Sequence, residues 1–370
     1  MELAEDEMKN FVKVWAIVVV SLCYCYFLGK ITQKGLSRLL AILPIVVLFL
    51  ILPLNLTSIH LTGVTSFFVS CLANLKLLLF AFGRGPLCSD PSMSLRLFMA
   101  VACLPIKIQQ IPPESSSQKK QNPSRKTRDY GYPYPQMSKR SKKQPLNYII
   151  KATLLVLMLR IYDYCDHLPT TVIWLIFCFH IYLVLEIVLA AVATAAKVFF
   201  GLELEPQFDE PFLATSLQDF WGRRWNLMVT SILRTTVYEP VLYYSSCIVG
   251  RAAAPLPAVF TTFVVSAVMH ELVFYHLGRV RPTLEVTWFF LLHGFCLCVE
   301  ITMKQAFPGN WRLHRAVSRP LTIAFVMATV FWLFLPPLLR CRANERGIED
   351  YAVVGAFVRN LSRSLTAKGT

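Results

Sequence analysis

The stretch Thr171–Ala196, TVIWLIFCFHIYLVLEIVLAAVATAA, carries one formally charged residue, Glu186. A helix that is apolar on every face is either buried in protein or surrounded by lipid, and a run of about 20 or more such residues matches the hydrocarbon thickness of a bilayer. Backbone polar groups find no water in lipid, so the run must close its own hydrogen bonds as an α-helix. Outward from it, comparable runs lie near Phe11–Leu28, Leu39–Leu54, Val64–Phe82, Leu146–Tyr162, Leu256–Tyr275, Val286–Ile301 and Leu321–Leu338. None shows the polar–apolar alternation of a membrane barrel. The expected fold class is all-α, a polytopic membrane protein of about eight transmembrane helices.

Charged residues make up 16% of the chain, against about 25% in an average soluble domain. They are concentrated between the apolar runs. The net charge of +15 belongs to loops, above all to the segment from Lys107 to Lys143, which is also rich in Pro, Ser, Gln and Tyr. That segment reads as a disordered cytosolic loop beside anionic membrane lipid, not as a nucleic-acid surface. The chain divides into N-terminal membrane helices (1–106), the polybasic loop (107–145), a second set of membrane helices carrying the unusual polar residues (146–340) and a C-terminal tail (341–370). The acidic start, with Glu2, Glu5, Asp6 and Glu7, is unlike the basic leader of a cleaved signal peptide, so the first span is expected to remain. The eleven cysteines include no C-x-x-C pair. Several sit in apolar runs and read as small buried hydrophobes, with no disulfide framework, no zinc site and no bound cofactor expected.

Positive residues prefer the cytoplasmic side. Lys30, Lys34 and Arg38 after the first span, and the polybasic loop after the third, place those loops in the cytosol and the N-terminus opposite. The stretch from Phe199 onward then begins at the cytosolic face. The rule gives no answer for the last helices, because Arg279 and Arg281 on one side and Arg312 and Arg315 on the other both look positive. Val237–Gly250 reads equally well as a re-entrant helix or as a span.

Ionisable residues in a membrane are costly and mark functional candidates. His180 and Glu186 fall on different faces of one helix and need separate partners. His180, His293 and Glu300 fit hydrogen bonding between helices. His270 lies deep in Val264-Val265-Ser266-Ala267-Val268-Met269-His270-Glu271 and is a candidate for catalysis or transport. Glu271 points about 100° away from it around the helix and is read as holding neighbouring elements. A second unusual element, Leu213–Asn226, reads LATSLQDFWGRRWN. Interfacial anchoring explains its tryptophans, and lipid phosphate its arginines. Neither explains Asn226.

These two elements resemble the plant wax synthase family of the membrane-bound O-acyltransferase superfamily, with plant acyl-CoA sterol acyltransferases as close relatives. The opening FVKVW, the run LANLKLLLFAFGRGPL, the phrase LPIKIQ and the segment LELEPQFDEPFLATSLQDFWG carry the same likeness. The resemblance implies transfer of a fatty acyl group from acyl-CoA, as co-substrate, to a long-chain alcohol, with a sterol as the alternative acceptor. It implies His270 as the catalytic base and Asn226 as its partner. A neutral imidazole within reach of a hydroxyl contributes about 10²–10⁴-fold as a general base. An amide donor on the developing oxyanion contributes about 2.7–4 kcal/mol. Arg223 and Arg224 are candidates for the phosphates of coenzyme A, and Gln218, Asp219, Trp221, Trp225 and Glu271 are further candidates for shaping the substrate site. A multi-pass transporter is the reading from another class, and the lack of an internal repeat weighs against it. Lipid synthesis points to the endoplasmic reticulum.

Overall fold

A computed structural model describes residues 2–88, 92–104, 145–200, 207–307 and 313–368. The polybasic loop, Arg312 and the Leu202–Pro206 lead-in of the tryptophan-rich segment lie outside these residues. Among the described residues every regular element is helical. In chain order the helices are α1 (Glu2–Ile31), α2 (Leu36–Asn55), α3 (Ile59–Ala81), α4 (Leu95–Cys103), α5 (Pro145–Ile161), α6 (Thr170–Phe200), α7 (227–248), α8 (Pro255–Gly278), α9 (Glu285–Ala306), α10 (Arg315–Arg340) and α11 (Ala343–Lys368). Seven of them, α1, α2, α3, α6, α8, α9 and α10, are long and apolar enough to cross a membrane. The other expected span, α5, has 17 residues, about 25 Å at 1.5 Å per residue and short for the hydrocarbon layer. It is tied to α6 by Lys151 Nζ, 2.5 Å from Glu186 Oε1, so Glu186 has its own partner.

In the N-terminal half α1–α4 pack around one apolar core that includes Leu22, Phe49, Leu77 and Phe98. Lys76 is fully buried there and donates to the carbonyls of Val101 and Leu104, each at 2.7 Å, at the C-terminal end of α4. A cation at that end meets the unpaired carbonyls of the last turn, which is why a lysine sits inside an apolar run.

Side-chain ties fix which helix ends share a face. Arg279 donates to the Leu54 and Leu56 carbonyls at 2.7 and 2.9 Å. Arg346 donates to Leu277 and Thr57 carbonyls at 2.5 and 2.6 Å. Glu7 accepts from the Thr57 and Ser58 amides. The start of α1, the α2–α3 turn, the α8–α9 turn and α11 therefore lie together, on the face that the charge rule puts away from the cytosol. It follows that α8 runs toward this shared face, α9 runs away from it and α10 returns to it.

The segment from 341 onward, expected as a tail, is the helix α11 docked on that outer face. A hydrogen-bonded chain holds it. Tyr162 Oη lies 3.1 Å from His180 Nδ1, and Tyr351 Oη lies 3.0 Å from both His180 Nε2 and His60 Nε2. His60 Nδ1 and the Ser58 hydroxyl lie 2.8 and 2.7 Å from Asp350 Oδ2. Partial burial pushes the Asp350 carboxyl up, but the hydrogen bonds from the His60 ring, the Ser58 hydroxyl and the His60 amide outweigh it and hold the carboxyl below the usual carboxylate range.

The tryptophan-rich segment packs into the helix bundle. Its aromatic rings pack against α6, α8, α9 and α10, which is where their apolar area escapes water. Val237–Gly250 is not a separate unit. Residues 227–248 form the continuous α7, with a wider π turn at Arg234–Tyr238 just ahead of Pro240. The short connection 249–254 turns α7 back against α8.

Candidate active site

The tryptophan-rich segment is built from polar ties at its entrance and stacked rings below. The Ser216 hydroxyl caps the helical turn Leu217–Asp219 by accepting from the Asp219 amide. Glu300 of α9 accepts the Leu217 and Gln218 amides at 2.9 and 3.3 Å, the negative charge lying at a helix start. Lys304 bridges Glu300 and the Gln218 side chain. Asp219 accepts from the Thr215 amide at 3.1 Å and from Arg224 Nε at 2.9 Å. Arg224 also donates to the Asp209 and Glu210 carbonyls at 3.0 and 3.2 Å. Arg224 thus closes the loop 209–224 on itself, while Arg223 is exposed. The two adjacent arginines do different work.

Trp225 stacks on Phe220, with ring centroids 5.4 Å apart and an interplanar angle of 18°, and meets Phe208 edge-on. Trp221 lies among Phe263 of α8 and Phe290 and His293 of α9, at 5.6, 6.0 and 5.5 Å. Its indole Nε1–H donates to His293 Nδ1 at 3.0 Å. Indole nitrogen only donates, so Nδ1 must accept and the His293 proton sits on Nε2. Nε2–H then donates to Thr329 Oγ1 at 2.8 Å, and that hydroxyl donates to the backbone carbonyls of α10 at Phe325 and Val326. Both nitrogens of His293 are engaged, and its side chain is wholly buried.

His270 contrasts with it. Its Nδ1 lies 2.8 Å from the Ser266 carbonyl one turn back on α8. A carbonyl only accepts, so Nδ1 carries the proton and the lone pair of the neutral ring is on Nε2. Nε2 has no partner among the described residues. The ring packs 4.3 Å from that of Phe290 and 5.9 Å from that of Phe334, so two aromatic rings flank a base with one open edge. Glu271 takes no part in this: its carboxylate accepts from the amide and hydroxyl of Thr287 at 3.1 and 3.0 Å, tying α8 to α9.

Asn226 begins α7 with φ +39 and ψ +63, the left-handed region that asparagine tolerates better than most residues. Its Oδ1 accepts from the Val229 amide as the helix cap. That leaves the Nδ2 hydrogens as donors without a partner among the described residues. Val229, one turn further on, shares an apolar cluster with Val265, Met269 and Val273 of α8, the positions around His270.

Trp221 thus reaches the surroundings of His270 through the Phe290 ring, Trp225 packs with Phe208 and Phe220, Asn226 caps α7, and Gln218, Asp219 and Arg224 are ties of the entrance. Phe290, His293 and Thr329 belong to the same constellation and were not singled out as site residues from sequence. The signal was present: Phe290, His293 and Glu300 fall three and seven apart on one face of α9.

A family profile described as the membrane bound O-acyl transferase family matches residues 204–292, the span that holds Asn226, His270 and Phe290. An acyl-CoA–sterol O-acyltransferase of Arabidopsis thaliana is 47% identical over 97% of this chain and 99% of its own length. A long-chain-alcohol O-fatty-acyltransferase of Simmondsia chinensis is 44% identical over 95% of both chains. A probable long-chain-alcohol O-fatty-acyltransferase of Arabidopsis thaliana is 41% identical over 95% of this chain and 97% of its own.

Proposed function

The chain belongs to the membrane bound O-acyl transferase family, and from that premise we propose that it makes wax esters from a fatty acyl-CoA and a long-chain fatty alcohol, with His270 as the base. The observation that carries the assignment is the Nδ1–Ser266 hydrogen bond, which turns the basic edge of His270 away from its own helix. Nε2 takes the proton of the alcohol as its oxygen attacks the thioester carbonyl carbon. The carbonyl oxygen becomes negative in the tetrahedral intermediate, and the free Nδ2 hydrogens of Asn226 are the donors available to it. The carbon–sulfur bond then breaks, and the imidazolium returns its proton to the leaving thiolate of coenzyme A. The ester and free coenzyme A are released, and the base is regenerated.

The substrates fit the setting. A fatty chain and a lipophilic alcohol partition into the bilayer and reach the site between helices, while the anionic coenzyme A arrives from the cytosol, where the tryptophan-rich segment opens. Exposed Arg223 is the cation placed to meet its phosphates. The endoplasmic reticulum is the membrane where such substrates meet.

A sterol is the second acceptor to weigh, favoured by the 47% identity to the Arabidopsis sterol acyltransferase. Microsomes from a host expressing the chain, fed labelled acyl-CoA with either hexadecanol or a plant sterol, separate the two. Wax ester as the main product supports the fatty-alcohol reading. Steryl ester as the main product replaces it, and no ester from either acceptor overturns both.

A further inference from the structure

We propose that His293 is a positioning residue for acyl transfer, holding Trp221 in place against the Phe290 ring that packs on His270. It does not touch the reacting atoms, since both of its nitrogens are committed to Trp221 and Thr329. This inference rests on the acyl-transfer reading of the site.

The argument starts from the register of α9. Residues seven apart on a helix return to nearly the same face after about 10 Å of rise. Glu300 and His293 are such a pair, and each grips the tryptophan-rich segment. Glu300 takes the Leu217 and Gln218 amides at the entrance. His293 takes the Trp221 indole proton further in. One face of α9 therefore sets how deep the segment enters. α9 also packs closely on α8 here: at Gly294 an added Cβ would lie 2.9 Å from the Phe263 Cβ, and Phe263 itself packs against Trp221.

Trp221 passes this placement on in two directions. Its ring contacts Phe290, whose ring lies 4.3 Å from that of His270. Its backbone carbonyl accepts from the Thr230 hydroxyl, which also lies within hydrogen-bond distance of the Asn226 carbonyl. The buried imidazole of His293 thus fixes one residue that touches both the Phe290 ring beside the base and the helix start carrying the amide. Thr329 completes the hold by fixing the His293 tautomer, so that Nδ1 always accepts.

The test uses the full chain in lipid nanodiscs with acyl-CoA and fatty alcohol. His293→Leu removes the acceptor, and His293→Asn restores one where Nδ1 was. The Leu variant is expected to lose kcat on the order of 30-fold, as small misplacements in a site do, with KM for acyl-CoA and the folded fraction unchanged. The Asn variant is expected to recover most of the loss. A second readout needs no turnover: the rate at which diethyl pyrocarbonate modifies His270, followed by mass spectrometry, changes in the Leu variant and returns in the Asn variant. Should the parent make no ester, the acyl-transfer reading falls while this readout still decides the positioning role. Should His293→Leu fail to fold, Trp221→Phe keeps a ring and removes the donor; it is expected to reproduce the kcat loss and the altered His270 reactivity. Equal failure of the Leu and Asn variants in folded protein overturns the proposal. So does an activity loss that merely follows the folded fraction with His270 reactivity unchanged.

Discussion

His270 and His293 stand on neighbouring helices and touch opposite sides of one aromatic cluster, yet they are wired in opposite ways. His293 has a partner on each nitrogen, an indole proton on one and a threonine hydroxyl on the other. Among the described residues His270 has one hydrogen-bond partner, a carbonyl of its own helix, which leaves Nε2 open. A histidine with both nitrogens engaged resists proton exchange and serves as a strut. One with a fixed tautomer and a free lone pair can serve as a base. Burial alone does not separate the two roles. The hydrogen-bond inventory around each ring does.

The largest effect expected from this contrast is at His270. Removal of the ring in His270→Ala should lower ester formation by about 10²–10⁴-fold in protein that inserts and folds normally, measured as kcat with labelled acyl-CoA. Next is Asn226→Ala, where loss of one oxyanion donor should raise the barrier by about 2.7–4 kcal/mol; the lost cap should also lower the melting temperature slightly. A drop in melting temperature without loss of kcat would reduce Asn226 to a capping residue.

The adjacent arginines sharpen the comparison of strut and reagent in a second place. Arg224→Ala breaks charge-assisted hydrogen bonds worth about 1.5–3 kcal/mol each and should destabilise the tryptophan-rich segment, seen as faster hydrogen exchange over residues 209–224. Arg223→Ala should leave exchange unchanged and raise the KM for acyl-CoA several-fold. If Arg223→Ala leaves the KM alone, the phosphate role is wrong.

The smallest effect is a pH dependence far from the site. Because the folded pKa of Asp350 is depressed, its contribution to docking α11 is present above the unfolded carboxylate pKa, about 3.9, and is lost as pH falls through the lower folded value. Protection of residues 343–351 from hydrogen exchange should show a fall in the acid range, as Asp350 is protonated. Asp350→Asn should remove that acid-range step.

Apolar runs alone made seven membrane helices legible, because the bilayer sets one length and one chemistry for all of them. The motif pair Asn226 and His270 was legible through its resemblance. Arginine counts failed for the direction of the last helices because the charges were not free signals. Arg279, one of the residues counted, is committed to the Leu54 and Leu56 carbonyls, so it acts as a tie between helix ends. The depth of the tryptophan-rich segment was hidden for a similar reason. Local composition resembles an interfacial belt, and only Glu300 and His293, more than seventy residues later, show where the segment is held. The segment after Arg340 read as a tail because charges interrupt it too often for a membrane span, whereas α11 docks through polar groups, Arg346, Asp350 and Tyr351.

One substitution made at both histidines tests the account most directly. Asparagine imitates the Nδ1 side of histidine and has no counterpart of Nε2. Steady-state kcat for His270→Asn and His293→Asn, each normalised to folded protein in nanodiscs, should diverge: ester formation lost at position 270 and largely kept at position 293. An active His270→Asn enzyme would contradict the assignment of Nε2 as the base.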